Sequence, residues 1–424
     1  MGEKDRKIIE SIRLLEERRL HESLSRALNV PLLENLSRFL SPVEQNKERY
    51  FFLKAHSLSV KTGILKSLEE LFGKVKYILG LEDFPVELFV VEDRYTCANV
   101  TPGNVLSHPA FICLNSALVR SLKEPEIAFV LGHELAHLVL KHSEFREAVM
   151  LLYKDLDKLP PHLKTEYDCW HKLSEMSADR VALLASGDIE AALRAMIICI
   201  SGVDDNLLTL SLEQIIKYAT TVVEEIKQMK IFTECTHPAM PLRILALKAF
   251  YDSNLYKSLS SGNYDSLSQV DVELETKLAE LTRVIKKYPT NVADYWLMMT
   301  KAAATWLIIS ADANVTPEER AGLLDVIAKY CWCPEEILDD ISEKETESFL
   351  KLSVKNLKAN KPSALNEVLR DLAFFLIRDL RIEPAEYEKY LEIAENYLGF
   401  SRFEAIDALT AAIKVFPKEN DIQR

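Results

Sequence analysis

Residues 130–142 read VLGHELAHLVLKH, three histidines and a glutamate set in an otherwise apolar run with helical spacing. Burying each of those polar groups costs free energy unless it finds a partner, so this run constrains the surrounding fold more tightly than any other segment. His133 and His137 are four apart, which on a helix puts them about 40° apart around the axis and about 6 Å along it, facing one point. A single zinc ion held by two ring nitrogens needs that spacing, and Glu134 then projects beside it. His-Glu-x-x-His is complete. Two histidines hydrogen-bonded at the edge of a core would satisfy the same pattern, so further donors must decide.

A catalytic zinc keeps three protein ligands and leaves one position to solvent. The stretch KLSEMSADRVALLASGD, 172–188, offers the third. Glu175 and Asp179 are four apart on a predicted helix, so Glu175 can reach the metal while Asp179 accepts a hydrogen bond from the outer nitrogen of a ligand histidine and fixes its orientation. Alone, such a pair is a solvated helix face; in an apolar run downstream of the histidine helix, it reads as a ligand and its support. In THPAMPLRI, 236–244, His237 can donate to the oxyanion of a tetrahedral intermediate and Arg243 can pair with a carboxylate of the site, although a His-Pro pair by itself is commonly a turn. The expected reaction is peptide hydrolysis through a metal-activated water, with Glu134 as general base returning the proton to the leaving amine.

At 424 residues the chain exceeds the size at which one core keeps growing, and two domains are expected. Residues 1–80 carry apolar positions at helical spacing and form an N-terminal helical layer. The core of the first domain, 81–257, opens with two β-rich stretches, VELFVVE from 86 and FICLNSAL at 111–118, and continues as helices near 124–156, 172–200, 205–230 and 241–257. Between them, KDLDKLPPHLKTEYDCWHK, 154–172, reads as a polar surface loop; in a latent form His162, Cys169 or His171 would take the water position. The Ser-rich 258–269 opens a linker and connecting helix, 258–290, and 291–424 is helical throughout. The fold class is mainly α (α+β): a zincin-like metalloprotease domain with a small β-sheet, followed by an all-helical domain.

A net charge of −13 repels phosphate backbones and anionic lipid, so neither nucleic acid nor a membrane surface is an expected partner. No uncharged apolar stretch approaches the roughly 20 residues of a membrane span. The charged N-terminus lacks a signal-peptide core, and seven cysteines without C-x-x-C spacing suit a reducing compartment, so a cytoplasmic protein is expected.

In order, VELFVVED, CANV, FICLNSAL, EIAFVLGHELAHLVLKH, SEMSADR and THPAMPLRI resemble the HtpX-like and CAAX-prenyl-protease-like zinc peptidases, a gluzincin group, over about residues 75–250. The resemblance implies one zinc per chain on His133, His137 and Glu175, Glu134 as base, Asp179 as support, His237 assisting the transition state, and Asn99 near the cleft. It also implies that FICLNS, with Phe111, Ile112, Cys113 and Leu114, is an edge strand pairing with an extended peptide or unfolded protein substrate. Membrane-embedded members carry spanning helices that this chain lacks, so prenylated substrates do not carry over. The C-terminal part resembles the helical TerB-like domains of tellurite-resistance systems, whose acidic D-x-x-[VI]-x-P-x-E stretches match Asp312 with Glu319 and Asp379 with Glu386 and would bind a second metal; the bland reading makes both helix-start signals. The rival to an active zinc metalloendopeptidase is a latent or non-catalytic metal-binding stress or regulatory protein whose C-terminal domain recruits a protein partner.

Overall fold

The computed structural model describes residues 3–29, 43–104, 107–203, 211–229, 237–262, 271–283, 285, 289, 291–342, 345–378 and 382–415. The chain divides into two units: Met1–Leu159 with Tyr167–Ile285, and Pro160–Glu166 with Lys286–Arg424. The fold is mainly α with one small sheet. Among the described residues no helix is long and apolar enough to cross a membrane.

In the first unit, helices α1 (Glu3–Ile12), α2 (Leu15–Ala27) and α3 (Val43–His56) precede strand β1 (Leu58–Ser59) and helix α4 (Lys66–Ile78). Strands β2 (Val86–Val91), β3 (Ala98–Thr101) and β4 (Ala110–Asn115) complete a sheet of order β1-β2-β4-β3. β4 runs parallel to β2, with Phe89 opposite Cys113, and antiparallel to β3, with Asn99 opposite Cys113. The edge expected at 111–116 is therefore misplaced. Every residue of β4 is buried and both its flanks are paired, so Phe111, Ile112, Cys113 and Leu114 cannot offer backbone groups to a peptide; the edge strand on that side of the sheet is β3, with β1 at the opposite edge. An unbroken apolar strand is what burial on both faces selects.

After the short helix α5 (Ser116–Ser121), α6 (Glu124–Val139) carries the histidine motif. Its start is set by Pro125 in the first turn and by the Glu126 carboxylate, which accepts from the Lys123 backbone N–H at 2.7 Å. α6 is buried nearly all round, which explains its apolar composition. The expected helix at 124–156 is two helices: Lys141 takes a left-handed conformation, φ 59°, and turns the chain into α7 (His142–Tyr153). For a residue with a Cβ that conformation costs about 1 kcal/mol. The expected loop at 154–172 is mostly helix as well, because α8 runs from Pro161 to Ser186 with proline at its start. Gly187, at φ 67°, ends it, and Asp188 caps α9 (Ile189–Ser201) by accepting from Ala191 N.

Helices α10 (Leu212–Met229), α11 (Met240–Asp252), α12 (Asn254–Ser260) and α13 (Val272–Thr282) follow. α12 occupies the start of the expected linker, and α13 falls within the first unit. In the second unit α14 (Val292–Ile309) is the central helix, buried from Leu297 to Thr305 and packed on α15 (Pro317–Ala328), α17 (Thr346–Asn360), α18 (Ala364–Leu376) and α19 (Pro384–Ile393); α16 (Pro334–Ser342) and α20 (Arg402–Val415) complete it. Within that unit the His162 ring meets Asp325 at 2.8 Å.

Candidate metal centre

One turn of helix separates His133 from His137, and their Nε2 atoms lie 3.1 Å apart. The Glu175 carboxylate of α8 closes the triangle, with Oε2 3.3 Å from His133 Nε2 and Oε1 3.5 Å from His137 Nε2. Among the described residues this trio is the group of three donors whose ligand atoms lie within 4.8 Å of one another. Two imidazole nitrogens and a carboxylate, set in a largely buried pocket, form a donor set suited to zinc. The close approach of the two helices depends on Gly132. A Cβ there would come within 2.7 Å of Ala185 Cβ and 2.9 Å of Ala182 Cα. That glycine escapes a motif reading, although its place immediately before His133 was visible.

Each ligand imidazole is held from behind. His133 Nδ1 meets Asp179 Oδ1 at 3.0 Å, which holds a hydrogen on Nδ1 and makes Nε2 the atom that would bind a metal. Arg243 of α11 grips the same carboxylate with two bonds, Nε to Oδ2 at 2.8 Å and Nη2 to Oδ1 at 2.7 Å, while its Nη1 lies 3.6 Å from Glu175 Oε2. Behind His137 stands the third histidine of the 130–142 run, to which its spacing assigns no role: His142 Nδ1 is 3.0 Å from His137 Nδ1.

Burial and charge act in opposition here. Burial disfavours a charged His133, but hydrogen bonds and charge from Asp179 and Glu175 outweigh it and hold its pKa up at about 10 without a metal. For His137 burial wins, and its pKa falls well below the ordinary value. Burial also opposes ionisation of Glu175, yet the hydrogen bond from His133 and the charges of His133 and Arg243 keep it ionised. Burial pushes the Glu134 carboxyl up to about 7, with Glu175 adding to the rise. A carboxyl poised near neutrality can both take and return a proton.

Two cavities open beside the trio. One, of about 610 Å³, is mostly apolar and lined by Leu118, Phe129, Val130, Met196, Ile200 and Met240 together with His133, Glu175 and His237. The other, of about 420 Å³, is polar, lined by Arg49, Arg146, Glu147 and His171 and by Ala98 and Val100 of β3. His237 stands at the rim, 60% exposed, with Nε2 3.8 Å from Glu175 Oε2. Asn99 lines neither cavity; its Oδ1 accepts from Arg49 at 2.6 Å. In the second unit Glu319 accepts from the Thr316 N–H at 2.7 Å in a capping box, which is the helix-start role. Asp312 accepts from Asn314 N, and Glu386 is buried in the first turn of α19. Asp379 lies outside the described residues.

Residues 67–156 match the model of peptidase family M48. The match runs from α4 to just past α7 with His133, Glu134 and His137, supports a metallopeptidase, and stops before the helix carrying Glu175. No curated protein and no solved structure matches the chain. Glu175, Asp179, His237 and Arg243 therefore join the site on geometry.

Proposed function

We propose that the protein is a zinc metalloendopeptidase of the HtpX-like kind that hydrolyses peptide bonds in extended or unfolded polypeptides. The observation that carries this reading is the convergence of His133, His137 and Glu175 from two helices, with Glu134 beside them. Family M48 peptidases are zinc-dependent, which agrees with that donor set. Zinc bound there would polarise the scissile carbonyl and acidify the attacking water. Glu134, which lines the polar cavity with the trio, would take a proton from the attacking water and pass it to the leaving amine. His237 donates a hydrogen bond to the oxygen that gains charge in the transition state. The free edge of β3, at Ala98–Thr101, holds the substrate by backbone pairing, and the apolar cavity takes a large hydrophobic side chain next to the scissile bond.

The helical second unit, with its TerB-like acidic turns, we read as a docking domain for a protein partner. The scattered cysteines, with Cys331 and Cys333 sulfurs 3.4 Å apart and unbonded, suit a reducing cytoplasm. The test is cleavage of an unfolded protein such as casein by the zinc-loaded full chain, by the chelated chain, and by Glu134→Gln. Glu134→Gln should keep its zinc and lose about 10²- to 10⁴-fold in rate. A wild type that cleaves nothing, or a variant as fast as the wild type, would refute the assignment.

A further inference from the structure

His142 and Glu17 form a buried chain that ends on a proposed zinc ligand, and nothing in the mechanism so far uses it. His142 is 3% exposed and Glu17 is wholly buried. If His137 binds metal through Nε2, its single hydrogen sits on Nδ1, and at 3.0 Å that hydrogen points at His142 Nδ1. His142 must then accept at Nδ1 and carry its own hydrogen on Nε2. That Nε2 faces Glu17 Oε1 at 3.6 Å and has no hydrogen-bonding partner among the described residues. Each tautomer follows from the one before.

Glu17 is itself fixed. It accepts from Arg13, from Trp170 Nε1 at 2.7 Å and from Ser177 Oγ at 3.3 Å, so α2 is bolted to the same helix, α8, that carries Glu175 and Asp179. The left-handed turn at Lys141 brings His142 back beside the His137 ring. The two ligand histidines thus have parallel supports: Asp179 with Arg243 behind one, and His142 with Glu17 behind the other.

We infer that His142 and Glu17 are positioning residues, a carboxylate–imidazole relay through which the N-terminal helix α2 sets the tautomer and direction of His137 toward the metal. The inference rests on the zinc reading of the site. It extends the site to residue 17, well outside the segment that matches the peptidase family.

The test is the zinc affinity of the full chain, measured by competition with a chromophoric chelator, together with the visible spectrum of the cobalt-substituted protein. His142→Phe keeps an aromatic ring against Trp170 but offers no acceptor. His142→Asn puts an amide oxygen near the position of Nδ1 and restores the acceptor. The expected result is a loss of zinc affinity of about 10- to 100-fold for His142→Phe, recovery to within a few-fold for His142→Asn, and a smaller loss with a shifted cobalt spectrum for Glu17→Gln. A purely packing role predicts the reverse order, because phenylalanine fills the site better than asparagine. Equal affinity of His142→Phe and wild type would overturn the relay, as would an Asn variant no better than Phe. If Phe does not fold, an affinity for His142→Asn within a few-fold of wild type with a lowered one for Glu17→Gln upholds the relay, and any other pair of values overturns it. A wild type that binds no zinc would instead sink the zinc reading on which the inference stands.

Discussion

Both units bury charge, and they do so to different ends. In the second unit Lys301, 2% exposed at its side chain, donates to Tyr330 Oη at 2.6 Å, Glu367 Oε1 at 2.6 Å and Asp371 Oδ2 at 2.7 Å. An ammonium has three hydrogens, and all three are used. In the first unit Asp179 is held by Arg243, but the ring nitrogens of His133 and His137 and the Glu175 carboxylate turn toward one another around a shared point. Three acceptors facing one another repel unless a proton or a metal lies among them. Buried charge alone therefore does not mark a functional site; the convergence of metal-ligating atoms on one point is the distinguishing feature.

The comparison can be broken most forcefully at Lys301. Lys301→Met leaves Glu367 and Asp371 without their cation, and because those carboxylates keep some contact with water the loss should be about 2–3 kcal/mol, near the lower end for a broken buried pair. The urea midpoint of the second unit should fall while zinc stoichiometry stays at that of the wild type. A change in zinc binding would show that the two clusters are not independent.

Asp179→Ala makes the converse cut. It frees His133 Nδ1 and also releases Arg243 toward Glu175, where the guanidinium would compete with the metal. Zinc affinity should drop about 10- to 100-fold in a chelator competition, against little change in the apo protein's urea midpoint beyond the lost ion pair. An unchanged affinity would mean that the support behind His133 is only structural.

The smallest effect expected is at Glu147, whose carboxyl accepts from Asn46 at 2.6 Å and which burial pushes up to about 7. Its folded pKa lies above its unfolded one, so the folded state holds the extra proton between pH 4.5 and 7 and stability falls as pH rises through that window. Glu147→Gln should match the wild type at pH 4.5 and exceed it at pH 8 by about 1 kcal/mol, read from urea unfolding at the two pH values. A variant equally affected at both would assign the residue no such cost.

Much of this centre was legible in the sequence because helical spacing converts position into proximity. His133 and His137, and Glu175 and Asp179, are each one turn apart, so a reader of the chain can bring them to one face without knowing the fold. The strand order was not legible in the same way. Residues 111–114 gave the composition of an interior strand, but which neighbour flanks it depends on a crossover that local pattern does not encode. The turn at Lys141 has no glycine or proline to announce it, and the polar 154–172 conceals a helix whose apolar face is narrow. Glu17 lies more than a hundred residues from the histidine it faces. No spacing rule reaches that far.

The most direct test of the whole account is metal stoichiometry by native mass spectrometry on the purified full chain and on Glu175→Ala. The account predicts one zinc ion per wild-type chain, and none retained by the variant under the same dialysis. A wild type that stays metal-free in the presence of zinc, or a Glu175→Ala chain that holds its ion as firmly as the parent, would contradict it.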